Sequence, residues 1–425
     1  MLSFVNIKKY YPYIAFRKLM VVSIIIGLLA SFLAISLKRI TEYYEAVLYK
    51  EAIGFHLYYF LFPFIGLSLI YLLRVSLFKN KENKGIKEIL EVTAHSSKNL
   101  PLYKIPSHFI NGFFTVIFGG STGIEVSTVV ASATIGSVTQ QKANFYRKYK
   151  EELICAGVAA GITALFGSPI AGILFAIEVI SRKTSKSFWI TNGIAVTVAS
   201  LLIFILNEAA LLPLNISTWH YHAIPYFILL GLLAGVNSVF LTRTVLYAKA
   251  LFLKISNPYQ RLLISSGLLG SAILVLPVLY GDGYHGIREI IIHSQANFSS
   301  SFAIMAVGIL IVKPIVTAIT LASGGDGGVF APSLVIGGFL GYFIATFCNS
   351  YFHANVIPLN FIIIGMAAVL SASIHAPFTA MFLVCSIVND YTLFVPLLLV
   401  CLISKFTAKY LFPFTVYSYS IKTIG

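Results

Sequence analysis

The chain has 425 residues, of which 58% are hydrophobic and only 11% charged, with a mean hydropathy of +0.88. A soluble domain carries about a quarter charged residues, so the composition excludes an ordinary soluble fold and leaves an all-α polytopic membrane protein. A net charge of +15 would suggest a nucleic-acid partner in a soluble protein, but here Lys and Arg gather at the ends of apolar runs and no nucleic acid is expected.

Lys8, Lys9, Arg17 and Lys18 precede the first apolar run, at 19–37. That run is longer than a signal-peptide core and lacks a small-residue cleavage pattern, so it reads as a retained span. A second run at 54–78 is accompanied by Arg74 and followed by Lys79, Lys81, Lys84 and Lys87. Glycine-broken pieces at 108–118 and 125–138 read as re-entrant or tilted. Lys142, Arg147, Lys148 and Lys150 come before a run at 153–181, and Arg182, Lys183 and Lys186 after it. Further spans are expected at 188–213, 223–250, 260–281, 301–322, 356–389 and 392–412, with a third broken piece at 329–349. Positive-inside bias assigns the basic clusters and residues 1–18 to the cytoplasm. The connection Asn207–Ala223, with Glu208 as its one charge, falls outside. Residues 413–425 read as a short tail with no soluble regulatory domain. Cys155, Cys348, Cys385 and Cys401 sit singly in or beside apolar segments and read as buried thiols. No metal-ligand spacing occurs; His220 and His222, two apart in a loop, are the nearest approach to one.

The segment Gly119-Gly120-Ser121-Thr122-Gly123-Ile124-Glu125-Val126-Ser127 interrupts the apolar stretch from Phe109 to Val138, and Glu125 is that stretch's only charged side chain. A carboxylate at membrane depth costs about 2.5–3.5 kcal/mol on insertion scales, which makes it a functional-site candidate. Glycines break the helix and let backbone N–H groups converge, an arrangement that attracts anions. Such backbone survives at depth only inside protein or beside a polar cavity. The alternative is a first-turn Glu that complements the helix dipole, among glycines that serve close packing.

The device occurs twice. Gly119, Gly120, Gly123 and Gly136 fall on Gly324, Gly325, Gly328 and Gly341 at one fixed offset, within Gly324-Gly325-Asp326-Gly327-Gly328-Val329-Phe330-Ala331-Pro332. Ala156-Gly157-Val158-Ala159-Ala160 and Ser168-Pro169-Ile170-Ala171 find counterparts in Ile364-Gly365-Met366-Ala367-Ala368 and Ala376-Pro377-Phe378-Thr379. Two matches in one order indicate duplicated halves, 19–213 and 214–412. Glycine-interrupted segments at corresponding places point to a substrate site between transporter repeats.

With Glu125 and this repeat, the string Gly328-Val329-Phe330-Ala331-Pro332 resembles the CLC family of chloride channels and proton–chloride exchangers. The family's Gly-x-Phe-x-Pro motif is matched by Gly328, Phe330 and Pro332, and its Gly-(Arg/Lys)-Glu-Gly-Pro motif keeps Gly123 and Glu125. Its Gly-Ser-Gly-Ile-Pro-Glu motif survives in part as Asn83-Lys84-Gly85-Ile86-Lys87-Glu88. The stretch Ser168–Glu178 is similar to its dimer-interface helix, and Asn389-Asp390-Tyr391 to the segment bearing its pore tyrosine.

The resemblance implies a CLC-like fold of two inverted-topology repeats with re-entrant and broken helices, assembled as a homodimer with one anion pathway per subunit. Glu125 then takes the place of a gating glutamate that blocks the path when ionised and carries a proton when neutral. Backbone amides of Ile124, Glu125, Val329 and Phe330 would coordinate the anion, and Tyr391 would offer it a hydroxyl. The family's inner ion-coordinating serine falls at Lys84, which either raises anion concentration at the inner mouth or is a solvated loop lysine. The acid that family exchangers usually carry after the residue matching Glu178 is replaced by Val179. Dimerisation is expected through Ser168–Ile180 and Ala376–Val388, by way of Ala171, Gly172, Thr379 and Ala380.

These readings converge on transport of chloride or a similar small monovalent anion, by passive channel or proton-coupled exchange, with no cofactor. Fluoride is disfavoured, because variants specialised for it usually lack the pore tyrosine. The alternatives are a non-transporting scaffold derived from the family and a membrane-embedded enzyme. The enzyme would need a nucleophile with a base, or a metal cluster, and none is visible. The expected location is the cell (inner) membrane of a prokaryote.

Overall fold

The computed structural model describes residues 3–81, 83–95, 98–143, 149–181, 183–294 and 300–419, with the side chains of 3–15, 300, 301 and 303 left aside. Arg147, Lys148 and Arg182, assigned to cytoplasmic clusters above, lie outside the described residues. The first region contains α1 (Ser3–Gly54), α2 (Tyr58–Ser76), α3 (Ile86–Ala94) and α4 (Lys104–Ile117). Next come α5 (Glu125–Lys142), α6 (Lys150–Phe166), α7 (Pro169–Phe175), which continues as a π-helical turn over Ala176–Ile180, and α8 (Lys186–Ile205). The remainder is α9 (Ile224–Leu253), α10 (Pro258–Val275), α11 (Tyr284–His293), α12 (Ser300–Ser323), α13 (Phe330–Phe352), α14 (Pro358–Ile374), α15 (Pro377–Val388) and α16 (Phe394–Leu411). Among the described residues, seven helices are long and apolar enough to cross a membrane. All four cysteines are free and buried.

Several boundaries differ from the hydrophobic runs. The first run, 19–37, is the middle of a much longer α1. The run 153–181 is broken at Gly167, where φ is +69°, and Pro169 then starts α7. The run 356–389 is broken at His375, where φ is +57°, and Pro377 starts α15. Apolar composition cannot register these breaks; a left-handed residue followed by proline at a helix start makes them. The piece at 329–349 is a 23-residue helix, α13, long enough to span.

The order of packing repeats. α4 packs on α5, α5 on α6, α6 on α7 and α7 on α8, and α12 through α16 pack in the same succession. Both central crossings depend on glycine. A Cβ on Gly136 would stand 2.8 Å from the Leu153 carbonyl carbon, and one on Gly157 3.0 Å from that of Ser132. In the second set, a Cβ on Gly341 would meet Ile362 N at 2.9 Å, and one on Gly365 the Gly337 carbonyl carbon at 3.0 Å. Helices in a bilayer associate through such close packing, because lipid is as apolar as the helices themselves.

The small-residue faces on α7 and α15 are used inside the chain. These two helices pack on each other. Ala171, Thr379 and Ala380 are fully buried there, and Gly172 lies against Ala159 and Thr163. Glu178 joins the helices by accepting hydrogen bonds from Thr379 N at 2.7 Å and Thr379 Oγ1 at 2.6 Å. The expected dimer face is therefore corrected: Ala171, Gly172, Thr379 and Ala380 are spent within one subunit. Ile170 and Phe378, 49% and 44% exposed, are what these helices present outward.

The crossings yield a contrast between glycines. Gly341→Ala forces backbone apart and should cost about 1–3 kcal/mol, the range for overpacking. Gly267→Ala, in α10 where nothing lies within 4 Å of the new Cβ, should be neutral or slightly stabilising, as alanine is in a helix. Thermal unfolding of the two purified variants in detergent checks this. Equal loss in both would remove the crossing as the cause.

Candidate functional site

Two helix ends are closed by the same bonds. α4 ends with Gly120 N donating to Thr115 O at 2.8 Å, and α12 with Gly325 N donating to Thr320 O at 3.0 Å. Gly119 (φ +81°) and Gly324 (φ +104°) make these turns, in a backbone region that only glycine enters freely. The turns are then stitched to each other reciprocally. Ser121 N donates to Thr320 Oγ1 at 3.2 Å, and Asp326 N donates to Thr115 Oγ1 at 2.9 Å. Gly123 and Gly328 complete the join as an antiparallel backbone bridge. When i meets j′ and j meets i′, the two pieces are related by a local twofold. α5 and α13 therefore start side by side, with their positive dipole ends together.

Glu125 stands in the first turn of α5 and is 3% exposed. Its Oε1 accepts from the Tyr284 hydroxyl at 2.9 Å. The N–H groups of Glu125 itself and of Ala331, in the first turn of α13, lie against the carboxylate. Its Oε2 has no completed hydrogen bond to any described residue. The carboxylate thus fills the space where the two helix starts converge. Ile124 and Val329 are the residues immediately preceding α5 and α13, and Phe330 opens α13.

Tyr391 is elsewhere. It is 51% exposed in the turn before α16. Its neighbour Asp390 accepts from Ile216 N at 3.0 Å and Thr392 N at 2.7 Å, while Leu212 N and Leu214 N donate to Ile387 O and Val388 O. Burial pushes the Asp390 carboxyl up, but the hydrogen bonds from Thr392 and Ile216 outweigh it and hold the group below its ordinary range. Asn389-Asp390-Tyr391 is thus a clamp between a helix junction and the 206–220 connection, and Tyr391 is corrected as a site residue. Tyr417, rather than Tyr391, lies at the junction. It is 8% exposed, and its hydroxyl lies 3.2 Å from where a Cβ on Gly328 would stand. The hydroxyl faces Val329 N–H without completing a hydrogen bond. A turn in which Tyr417 N and Ser418 N donate to Thr415 Oγ1 holds it there. The Thr-x-x-Ser spacing, a side-chain-bonded turn, was the available signal in a segment read only as a tail.

Two cavities flank this junction. One, of about 280 Å³, is lined by Glu42, Glu45, Asp282, Tyr284, His285 and Arg288 among others, and reaches Glu125 through Tyr284. The other, of about 310 Å³, is lined by cations and by Asn111, Asp326, Val416 and Tyr419. Lys84 is in its wall; its backbone N–H donates to Glu88 Oε1 at 2.6 Å, and Glu88 also pairs with Lys104 at 2.7 Å. Glu88 of the surviving Gly-Ile-x-Glu thus ties the first turn of α3 to the residue before its N-cap and to the start of α4. Sequence reasoning also missed His108, fully buried on α4, whose Nδ1 lies 2.8 Å from Asp326 Oδ2. His108 and Asp326 are too far apart in sequence for a local pattern to reveal them.

Comparison with known proteins accords with this geometry. The chain is 28% identical over 318 residues to the H(+)/Cl(-) exchange transporter ClcA of Yersinia pestis bv. Antiqua (strain Angola), covering 72% of this chain and 65% of that protein. It is 29% identical over 312 residues to ClcA of Vibrio vulnificus (strain YJ016), covering 70% and 65%. The match therefore spans just under two thirds of these relatives. The fold is that of a slow cyanobacterial Cl−/H+ antiporter, with a TM-score of 0.80 at 21% identity, covering 96% of this chain and 98% of that one. It is also that of a CLC-type fluoride/proton antiporter, at 0.76 and 23%, covering 94% and 96%. The sequence profile described as voltage gated chloride channel matches residues 65–409, and this multi-pass membrane chain belongs to that family, the CLC proteins.

Proposed function

We propose that the protein exchanges chloride, or a similar small monovalent anion, for protons along a path that joins the two cavities past Glu125. The observation that carries this reading is the seat of the Glu125 carboxylate between the starts of α5 and α13. That seat suits an anion: N–H groups and dipole ends hold negative charge there without a full cation, so the occupant can leave. Carboxylate and transported anion then compete for one place. Protonation removes the charge that holds Glu125 in, so anion entry and proton uptake are linked. The amides of Ile124, Glu125, Val329, Phe330 and Ala331 supply the anion contacts, and the Tyr417 hydroxyl marks the next position toward the basic cavity. Val179 supports a second reading, a passive channel, since no acid stands at that point for an inner proton route.

The basic cavity is assigned to the cytoplasm by positive-inside bias, and the acidic cavity to the outside. Lys84 raises anion occupancy at the inner mouth. At an effective dielectric of about 20, a unit charge 8 Å away contributes roughly 2 kcal/mol before screening. Two subunits associate through outward apolar surface that includes Ile170 and Phe378, and light scattering from purified protein would register two chains. The membrane is a bacterial inner membrane, as befits the bacterial relatives.

Glu125→Gln keeps the shape and removes the titratable charge. Flux into chloride-loaded liposomes should lose its pH dependence, and proton movement driven by a chloride gradient should cease. Retained proton pumping in this variant would end the assignment. Wild-type protein that passes chloride without moving protons would be a channel.

Tyr417→Phe deletes the hydroxyl beside Val329 and should weaken anion selectivity and apparent affinity severalfold, while Tyr391→Phe should leave both unchanged. The reverse pattern would restore Tyr391 to the pathway.

Lys84→Ser should lower apparent anion affinity from the basic side, most at low ionic strength, where screening is weak; Lys84→Arg should preserve it. Equal affinity of wild type and Lys84→Ser at low salt would make Lys84 a plain loop cation.

A further inference from the structure

Six cations line the basic cavity: Arg74, Lys81, Lys84, Lys87, Lys249 and Arg261. None of them forms an ion pair with a carboxylate among the described residues. The acid in the same wall, Asp326, is bound to His108 and Asn83. The buried Nε atoms of Arg74 and Arg261 have no hydrogen-bond partner, while Arg261 Nη2 donates to Ile255 O at 2.8 Å. Six unneutralised charges around about 310 Å³ are more than transport of a monovalent ion needs. A chloride neutralises one of them and offers a single atom. A phosphate group spreads two or more charges over several oxygens, and each guanidinium fork can donate to two of them at once. Two arginines, each with its Nε donor unspent, and four ammonium groups are the complement of that ligand.

We propose that this cavity binds a multivalent, phosphate-bearing anion, either a soluble phosphate compound or a lipid headgroup, and that the bound anion closes the pathway at its basic end. The closure rests on the anion-transport reading given above; the binding does not. A ligand held mainly by charge will compete with salt, so occupancy falls as ionic strength rises.

The test uses the full chain and inorganic pyrophosphate as probe. Calorimetric titration of purified protein at low salt should show saturable binding. In liposomes of neutral phosphatidylcholine, pyrophosphate should inhibit chloride flux from the basic-cavity face and not from the other. The Lys249→Gln/Arg261→Gln double variant should raise both the dissociation constant and the half-inhibiting concentration at least about tenfold, the scale of losing charge-assisted hydrogen bonds. Arg261→Lys, which keeps the charge and loses the fork, should fall between, and serves if the double variant does not fold. Adding phosphatidic acid to the liposomes distinguishes the sources: inhibition by the lipid without pyrophosphate identifies a headgroup, and inhibition by pyrophosphate alone a soluble ligand. Absence of binding to both probes, equal affinity in wild type and variants, or equal inhibition from both faces would overturn the proposal. Binding with no chloride flux at all would remove the transport reading and leave the site standing.

Discussion

Everything at the centre of this protein hangs on two threonine hydroxyls that each receive a backbone N–H from the opposite glycine turn. Thr115 serves Asp326 and Thr320 serves Ser121, and each hydroxyl in turn donates to the carbonyl four residues back in its own helix. The pair satisfies backbone groups that would otherwise be stranded in a medium without water, where each orphan costs several kcal/mol. Satisfying them across the junction rather than within each loop forces the two helix starts together. The clustering of N–H groups at Glu125 follows from that constraint, as does the bridge between Gly123 and Gly328.

The outline of this arrangement was legible. Glu125 and the doubled glycine pattern stand out because charge and helix breakers are costly in apolar sequence, and both lie at the junction. Partners without a local pattern were not legible. Thr115 and Thr320 look like ordinary helix residues until the halves are laid together, and His108 meets an aspartate 218 positions away. Tyr391 misled because Asn-Asp before a helix is a capping signal whether or not a pore is near. Tyr417 was overlooked because a polar turn after the last apolar run reads as a tail. The helix breaks at Gly167 and His375 were hidden for a related reason: hydropathy averages over a single left-handed residue.

The two cavities divide the chain's charge. Glu42, Glu45 and Asp282 face one of them, and most of the nearby cations face the other. Lys313 is fully buried and donates to the carbonyls of Leu279 and Gly281, while Glu45 Oε1 accepts from Asp282 N. Buried charges of this kind are tolerated when paired and hydrogen-bonded. Here they brace the turn before α11, which carries Tyr284 and so fixes the hydroxyl that holds Glu125.

The reciprocal stitch also constrains how such a chain can change over generations. Position 115 contacts 326 while 320 contacts 121, so a substitution at either threonine strands an amide in the other half. The two halves are free to diverge on their lipid-facing surfaces, where a change in one has no consequence for its counterpart. At the junction each threonine is held by a backbone group of the other half. Related sequences aligned over both halves should therefore keep a hydroxyl residue at 115 and at 320 while 121 and 326 vary, since those two take part only through their backbone N–H groups, a record of the twofold that outlasts overall likeness between the halves.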